Sequence, residues 1–507
     1  MTLRASLLAG LSCALLTAFF ITPAQGQEKK AEPPKAAASD AMLAPLPEDK
    51  TVSQSITLNG KPLSYNATVG KIPVYNDKGR KIAEVVYTAY IAAGNGNNTS
   101  NPARPVTFAL NGGPGASSVW LNMGAIGPRH VQFGDRGDSP SDLKISDNAN
   151  TWLDMSDLVF IDPVGTGYSR SLTDDAESKK EFYAAESDIR YLSRVVYDWL
   201  VKNNRLRSPK YLMGESYGGY RVPRMALQLQ TRLGVGVSGL VMVSPYLDPA
   251  AIGDGTALSP LPWMINLPTM AAGNFERKGT LTAEHVAEVE RYVRNQFVTD
   301  FLAGRADDAA VQRIVQKVAE YTGLDPALVA RMDGRVDIGT YLREAHRAER
   351  KIGSYYDSNV TAYDPFPESY SQRSGDPILN ALMAPATSAM VDFIQREVGW
   401  KTEAVYKALS FEVGEAWERN EGLSDKPVSD LRQAMATDPK MAVLIAHGLN
   451  DLACPFFTSR LVIDQLPRFG GQARIRLTSY AGGHMFYSRT ASAAAFKNDA
   501  KVLYAAP

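Results

Sequence analysis

Gly214-Glu215-Ser216-Tyr217-Gly218-Gly219 decides how this chain is read. An apolar, strand-like run at residues 211–213 enters it, and a helix-like run at 220–229 leaves it. Small residues around a serine let a strand turn into a helix so sharply that the hydroxyl stands clear of the sheet edge. Alone, the string equally describes a plain strand-to-helix turn, so its meaning rests on what the chain places around it.

Upstream, residues 106–110 read as a buried strand ending at Asn111-Gly112-Gly113-Pro114-Gly115-Ala116-Ser117-Ser118. A glycine pair at a strand end lets backbone N–H groups approach a ligand as an oxyanion-binding loop requires, a surface loop being the alternative. Residues 157–161 form a second such strand, running into Asp162-Pro163-Val164-Gly165-Thr166-Gly167-Tyr168-Ser169. Phe182, Ala185, Ile189, Leu192, Val196 and Trp199 recur every three to four residues, which predicts an amphipathic helix over 181–202. A buried strand at 239–244 continues the alternation, which implies a largely parallel sheet covered on both faces. Ahead of these, residues 55–58, 63–69 and 82–92 alternate like antiparallel strands, with a turn at 94–98, so the sheet is expected to be mixed.

The alternation stops near Asp248 and resumes near Met441. Between them, Val286, Val289, Val293, Phe297 and Phe301 keep helical spacing, Gly323 stops a helix and Asp325-Pro326 starts another. A mainly helical insertion is expected, with 354–385, rich in Tyr, Ser, Asp and Pro, as a loop over the site. A strand at 441–446 then leads to His447-Gly448-Leu449-Asn450-Asp451-Leu452-Ala453-Cys454-Pro455, and one at 474–480 to Ala481-Gly482-Gly483-His484-Met485. Helices are expected at 458–466 and 490–503.

A serine, then an acid after the penultimate strand, then a histidine after the last strand follow the order of α/β-hydrolases. Ser216 is the expected nucleophile, His484 the general base and then acid, and Asp451 the carboxylate that orients it. Asp248 is the rival acid, since some such folds carry theirs after the earlier strand. Of the other histidines, His285 and His346 sit on helices of the insertion, His130 follows a glycine-proline turn, and His447 is expected to buttress Asp451.

The chain has 507 residues, with 54 Lys and Arg against 54 Asp and Glu. No broad basic field exists for nucleic acid or anionic lipid, which argues against both as partners. Arg4, an apolar stretch over 7–21 and Pro23-Ala24-Gln25-Gly26 read as a cleavable secretory signal, with a retained anchor as the alternative. The expected product is exported, periplasmic or secreted, without stable membrane insertion once the signal is removed. Cys454 would then be the sole cysteine, so no intramolecular disulfide is expected. The expected organisation is a signal at 1–26, a flexible spacer at 27–50, core at 51–248, a cap at 249–435 and core again at 436–507.

With these strings in order, the sequence resembles the serine carboxypeptidase family, and a bacterial-type member is expected. The resemblance rests on Asn111 through Gly115 with Ser117-Ser118, Asp162 through Ser169, Gly214 through Gly219, Asp451 through Cys454, and Gly483-His484-Met485. It implies an α/β-hydrolase with a mixed, mostly parallel central sheet and a helical cap. It also implies release of C-terminal residues from peptides through an acyl-enzyme, with no metal and no organic cofactor. An esterase or acyltransferase with the same triad, or a non-catalytic binding protein, are the alternatives. Position by position, Gly113 and Tyr217 are implied as the oxyanion hole, and Asn111, Gly112 and Glu215 as holders of the terminal carboxylate. Cys454 and Met485 are implied beside the substrate. Glu215 can meet a carboxylate only while protonated, so peptide binding is expected to favour acidic pH. Ala125 stands where many members carry a second glutamate, Ala116 where they carry cysteine and Ala109 where an aromatic is common. Glu215 is therefore expected to lack one partner.

Overall fold

The structure, a computed structural model, describes residues 44–93, 101, 103–133, 139–141, 143–248, 258–369, 375–418, 426–468 and 474–505. The expected signal, most of the spacer and the turn at 94–98 lie outside them.

Residues Pro47–Pro507 form one unit built on a single large sheet. Its strands are β1 (Lys50–Leu58), β2 (Lys61–Tyr75), β3 (Lys81–Ala92), β4 (Val106–Leu110), β5 (Asp157–Ile161), β6 (Arg170–Ser171), β7 (Lys210–Glu215), β8 (Gly239–Val243), β9 (Ala442–Gly448) and β10 (Ile475–Tyr480). They lie in the order β1-β2-β3-β5-β4-β7-β8-β9-β10, with β6 paired to β3. Among β5, β4, β7, β8, β9 and β10 every pairing is parallel, whereas the pairings of β1 with β2, β2 with β3, and β3 with β5 and β6 are antiparallel. The fold is an α/β-hydrolase, as expected.

The chemistry of the strands explains the arrangement. All five residues of β4, of β5 and of β8 are buried, as strands covered on both faces must be. Leu212 on β7 joins one apolar layer with Leu192, Val196 and Trp199 of helix Ala185–Lys202 and Val222 and Met225 of helix Tyr217–Arg232. Its neighbour Tyr211 points the other way and stacks on Tyr504 of helix Thr490–Ala505 at 3.9 Å.

The helix expected over 181–202 is two helices. Asp175–Phe182 ends at Tyr183, Ala184 is extended, and Ala185–Lys202 begins anew. The Tyr183 carbonyl, released from helical pairing, accepts from the Glu418 N–H at 2.7 Å. Phe182 and Ala185 are both buried, so the apolar spacing runs across the break and hides it.

After β8 the described chain is mainly helical, with Leu261–Arg277, Ala283–Tyr292, Val298–Ala303, Asp308–Thr322, Pro326–Arg331 and Ile338–Glu344. Gly323 caps its helix in the left-handed conformation and the Asp325 side chain caps the next, both as the sequence indicates. These helices share an apolar core of Ile265, Val289, Phe297, Ile314 and Val318 that extends to Leu452, Phe456 and Phe457. The segment expected as a loop instead holds Thr361–Tyr363, paired with Lys351–Gly353, and the start of helix Pro377–Asp392, capped by Asp376. Aspartate followed by proline at a helix start was the signal there. Among the described residues, Pro377–Glu397 has the length and apolarity to cross a membrane, and half of it is buried inside the protein.

Candidate active site

Ser216 sits at φ 59° and ψ −122°, a conformation a non-glycine residue holds only under constraint, between β7 and the helix Tyr217–Arg232. Its neighbours must be glycine for contact reasons. A Cβ on Gly214 would lie 2.0 Å from the Gly218 carbonyl oxygen, and one on Gly218 would lie 2.4 Å from that of Leu110. The Ser216 N–H donates to the Val243 carbonyl at 3.0 Å, which ties the turn to β8.

The loop after β4 runs against the start of the same helix. A Cβ on Gly112 would come within 2.4 Å of the Tyr217 backbone nitrogen, so Gly112 passes directly beside that N–H. Asn111 is buried, its side-chain oxygen accepts from the Leu121 N–H at 3.0 Å, and its side chain also bonds Glu215. Arg221 completes the brace: Nε donates to Asp188 at 2.7 Å and Nη1 donates to the Asn111 carbonyl at 2.7 Å. The serine's helix thereby holds the glycine loop's first residue.

His484 and Asp451 meet, with Nδ1 to Oδ2 at 2.8 Å and both buried. The other Asp451 oxygen accepts from the Ala453 and Cys454 N–H groups at 2.9 and 3.0 Å. Burial alone would lower the His484 pKa, but the Asp451 carboxylate outweighs it and the net shift is upward. Asp248, the rival acid, does not hold this imidazole. Ser216 reaches the pair through Cys454, whose thiol hydrogen-bonds its side chain. Burial pushes that thiol well above the usual cysteine range. Met485 is buried directly after His484.

Glu215 is 3% exposed. Burial raises its carboxyl to about 7 against the opposing pull of His484 and of hydrogen bonds from Tyr487 and Asn111. The Tyr487 hydroxyl donates to Oε2 at 2.6 Å. Glu215 thus has Tyr487 as a partner although Ala125 stands where the resemblance implies a second glutamate, and the Tyr487 ring lies beside Gly124, where a Cβ would come within 3.4 Å of it.

His447 departs from expectation. Its Nε2 pairs with the Ser459 hydroxyl at 2.8 Å, not with Asp451, and burial drives it down to about 3. His130 lies on the short strand Arg129–Val131, where the sequence offered no strand, and burial lowers it. His346 bonds the Ser358 carbonyl at 2.7 Å and His285 that of Thr280 at 2.6 Å. Among the described residues, no group of three or more His, Cys, Asp or Glu could hold a metal ion.

The insertion grips the site from outside the sheet. The His484 N–H donates to the Tyr356 carbonyl at 2.6 Å, and the Tyr356 ring meets the imidazole edge-on at 5.3 Å. The Leu452 N–H donates to Tyr355, and Asn450 accepts from Ser358. Beneath, Arg489 bonds Glu276 and, at 2.8 Å, Asp357, while Asn450 Nδ2 donates to Glu276 at 2.6 Å. A cavity of about 740 Å³ opens beside this cluster, lined by Phe133, Arg277, Lys351, Leu382 and Arg489 among others.

Three side chains escaped the sequence reading: Tyr487, Arg221 and Tyr356. Each acts on a partner far along the chain, so no local spacing announces it. Arg221 offered one hint, a charge one turn after Tyr217 on an otherwise core-facing stretch.

Comparison with known proteins places this geometry. The family model described as serine carboxypeptidase matches residues 87–485. A vitellogenic carboxypeptidase of Aedes aegypti is 29% identical over 149 residues, 29% of either chain. A pheromone-processing carboxypeptidase KEX1 of Ogataea parapolymorpha is 28% identical over 200 residues, 39% of this chain and 29% of the relative. The chain thus spans about three tenths of the length of these curated relatives. They come from an insect and a yeast, and the expectation of a bacterial-type member finds no support in them. The crystal structure of Kex1(delta)p, a prohormone-processing carboxypeptidase from Saccharomyces cerevisiae, shares the fold, with TM-score 0.54 at 16% identity over 87% of this chain and 91% of that one. The match over residues 87–485, well beyond half of the sequence, shows that this chain belongs to the serine carboxypeptidase family.

Proposed function

We propose that the protein is a serine carboxypeptidase that removes C-terminal residues from peptides, with Ser216 as nucleophile, His484 as base and then acid, and Asp451 as its orienting carboxylate. The observation that carries this reading is Glu215, a buried carboxyl raised to about 7 directly beside Ser216. An esterase needs no protonatable group there, whereas a terminal carboxylate needs a donor at that place.

In this reading the Ser216 hydroxyl leaves the Cys454 thiol for Nε2 of His484, gives it the proton and attacks the scissile carbonyl. The N–H groups of Gly113 and Tyr217 receive the developing oxyanion. Protonated His484 then gives its proton to the departing amine, and a water, deprotonated by His484, releases the acyl group. Asn111, the N–H of Gly112 and protonated Glu215 hold the terminal carboxylate. Met485 and Cys454 border the bound peptide, and the helical segment 249–435 serves as a cap.

The proton count follows. The productive enzyme carries a proton on Glu215 and none on His484, the reverse of where two isolated groups would place a single shared proton. A substrate carboxylate beside Glu215 favours that placement. Turnover of free-acid peptides therefore improves as pH falls through about 7 and declines again once His484 is protonated. Export, through the reading of residues 1–26 as a cleaved signal, is part of the same proposal, checked by N-terminal sequencing of secreted protein.

An N-blocked dipeptide, its amide and its ester, tested across pH beside Ser216→Ala, decide the matter. Release of the terminal amino acid that is lost in the variant supports the peptidase. Turnover of the ester alone leaves an esterase or acyltransferase, and no turnover leaves a binding protein.

A further inference from the structure

We propose that Tyr487 is the positioning residue that readies Glu215 for a peptide's terminal carboxylate: its hydroxyl holds Oε2 as a fixed donor, which pins the carboxyl in place and restrains its protonation. The inference rests on the peptidase reading above and adds to it a residue that sets how Glu215 is held and how readily it takes its proton.

Geometry carries it. The Tyr487 hydroxyl lies 2.6 Å from Glu215 Oε2, and both residues are buried. The ring is held between Phe133, edge-on at 6.3 Å, and Phe486 at 5.8 Å. Gly124 leaves room for its edge. Tyr487 therefore cannot swing away without opening a void. Burial and the nearby carboxylate keep the phenol protonated far beyond neutral pH, so it remains a donor. Asn111 also hydrogen-bonds this carboxyl, so Tyr487 is one of two neutral partners that orient it.

The arrangement has an opposing side. A hydrogen bond into a carboxylate favours its charged form, so Tyr487 restrains the protonation that burial drives. The other groups facing Glu215 are His484, Asp451 and Cys454, from the loops after β9 and β10, and the uncharged Asn111 after β4. His484 restrains protonation and Asp451 promotes it. Tyr487 is the member of this set whose hydroxyl can be removed without touching the triad or the glycine loop.

The test is Tyr487→Phe, which keeps the ring and removes the donor, with Tyr487→Leu as a second donor-free variant should the first misfold. The kcat/KM of the purified full chain is measured against pH for an N-blocked dipeptide and for its amide. The alkaline limb of the free acid is expected to move up by about one pH unit, the worth of one hydrogen bond to a charged group, with no such shift for the amide. A limb that stays in place, or one that moves equally for both substrates, overturns the proposal. If neither substrate is turned over by the unsubstituted protein, the peptidase reading fails instead. Tyr487 is then judged by infrared titration of the protonated carboxyl band that Glu215→Gln removes. A midpoint about one unit higher in Tyr487→Phe supports its hold on Glu215, and an unchanged midpoint overturns it.

Discussion

Two arginines brace the candidate site from opposite sides, and their surroundings differ. Arg221 and its partner Asp188 lie inside the α/β core with side chains only 1% exposed. Arg489, which ties the core to Glu276 and Asp357 of the insertion, is 28% exposed and Glu276 is 23% exposed, with only Asp357 buried. A fully buried pair has no water to fall back on, so losing one partner strands a charge. A pair that water reaches is exchanged at little cost. The glycine loop is therefore fixed when the core folds, whereas the insertion's hold on the loops of Asp451 and His484 can be loosened without unfolding anything.

The largest effect belongs to the chemistry at the sheet edge. Ser216→Ala is expected to lower kcat about 10⁴-fold or more on any substrate the protein turns over, with its urea unfolding curve nearly superimposed on that of the unsubstituted protein. A large loss of stability would break the comparison, by showing that the core side of the site is not set independently of the nucleophile. Next is the buried brace itself. Asp188→Ala is expected to cost about 3–5 kcal/mol in urea unfolding. Arg489→Gln, which leaves the buried Asp357 without its cation but in a cluster that water partly reaches, is expected to cost less, about 1–3 kcal/mol, and equal costs would erase the distinction.

How far the sequence reached follows the same division. The strand ends that carry Ser216 and Asp451 were legible because parallel strands buried on both faces are short, mainly apolar and closed by glycine, whereas the edge strand before His484 is only half-buried and was legible from the glycine pair that ends it. Burial of that kind is a local property of composition. What stayed hidden was partnership. Tyr487 finds Glu215 across 272 positions and Arg221 finds Asp188 across 33, and no periodicity records which distant group shares a pocket. His447 shows the limit most clearly: it stands four residues before Asp451, yet its hydrogen bond goes to Ser459. The break at Tyr183 escaped for a related reason, because both helices press apolar residues into one core.

A smaller effect sharpens the core side by pH. His447 is held down to about 3 from an ordinary 6.5, so below 6.5 the unfolded chain binds a proton that the fold refuses. Stability is therefore intact above 6.5 and is lost as pH falls, by roughly 2–3 kcal/mol down to pH ~4.5. Glu215 has the opposite sign: raised above its unfolded value of 4.5 to about 7, it withdraws stability as pH rises through that window. His447→Gln, which keeps a hydrogen-bonding side chain but does not titrate, is expected to flatten the acid loss in urea unfolding measured from pH 7 down to 4.5. A slope equal to that of the unsubstituted protein would remove His447 as its source.

The smallest effect tests the insertion. Glu276 accepts from Arg489, Asn359 and Asn450 at once, and Asn450 is the residue before Asp451. Removing its charge in Glu276→Gln keeps an acceptor oxygen for the amides but leaves Arg489 with Asp357 alone. Water reaches this cluster, so melting is expected to shift by no more than about 2–4 °C. The grip of residues 355–358 on the loops of His484 and Asp451 runs through backbone hydrogen bonds and survives the change. The proton relay is therefore expected to keep its rate, and the weakened attachment of the insertion to appear in substrate binding, as a KM raised a few-fold with kcat nearly unchanged. Salt gives the sharper reading. Where an ion pair holds the insertion down, added salt is expected to raise KM, and the variant has already lost most of what salt can screen. A kcat that falls as much as kcat/KM would mean that the insertion reaches the relay itself, and the two arginines would then brace one machine rather than two separable parts.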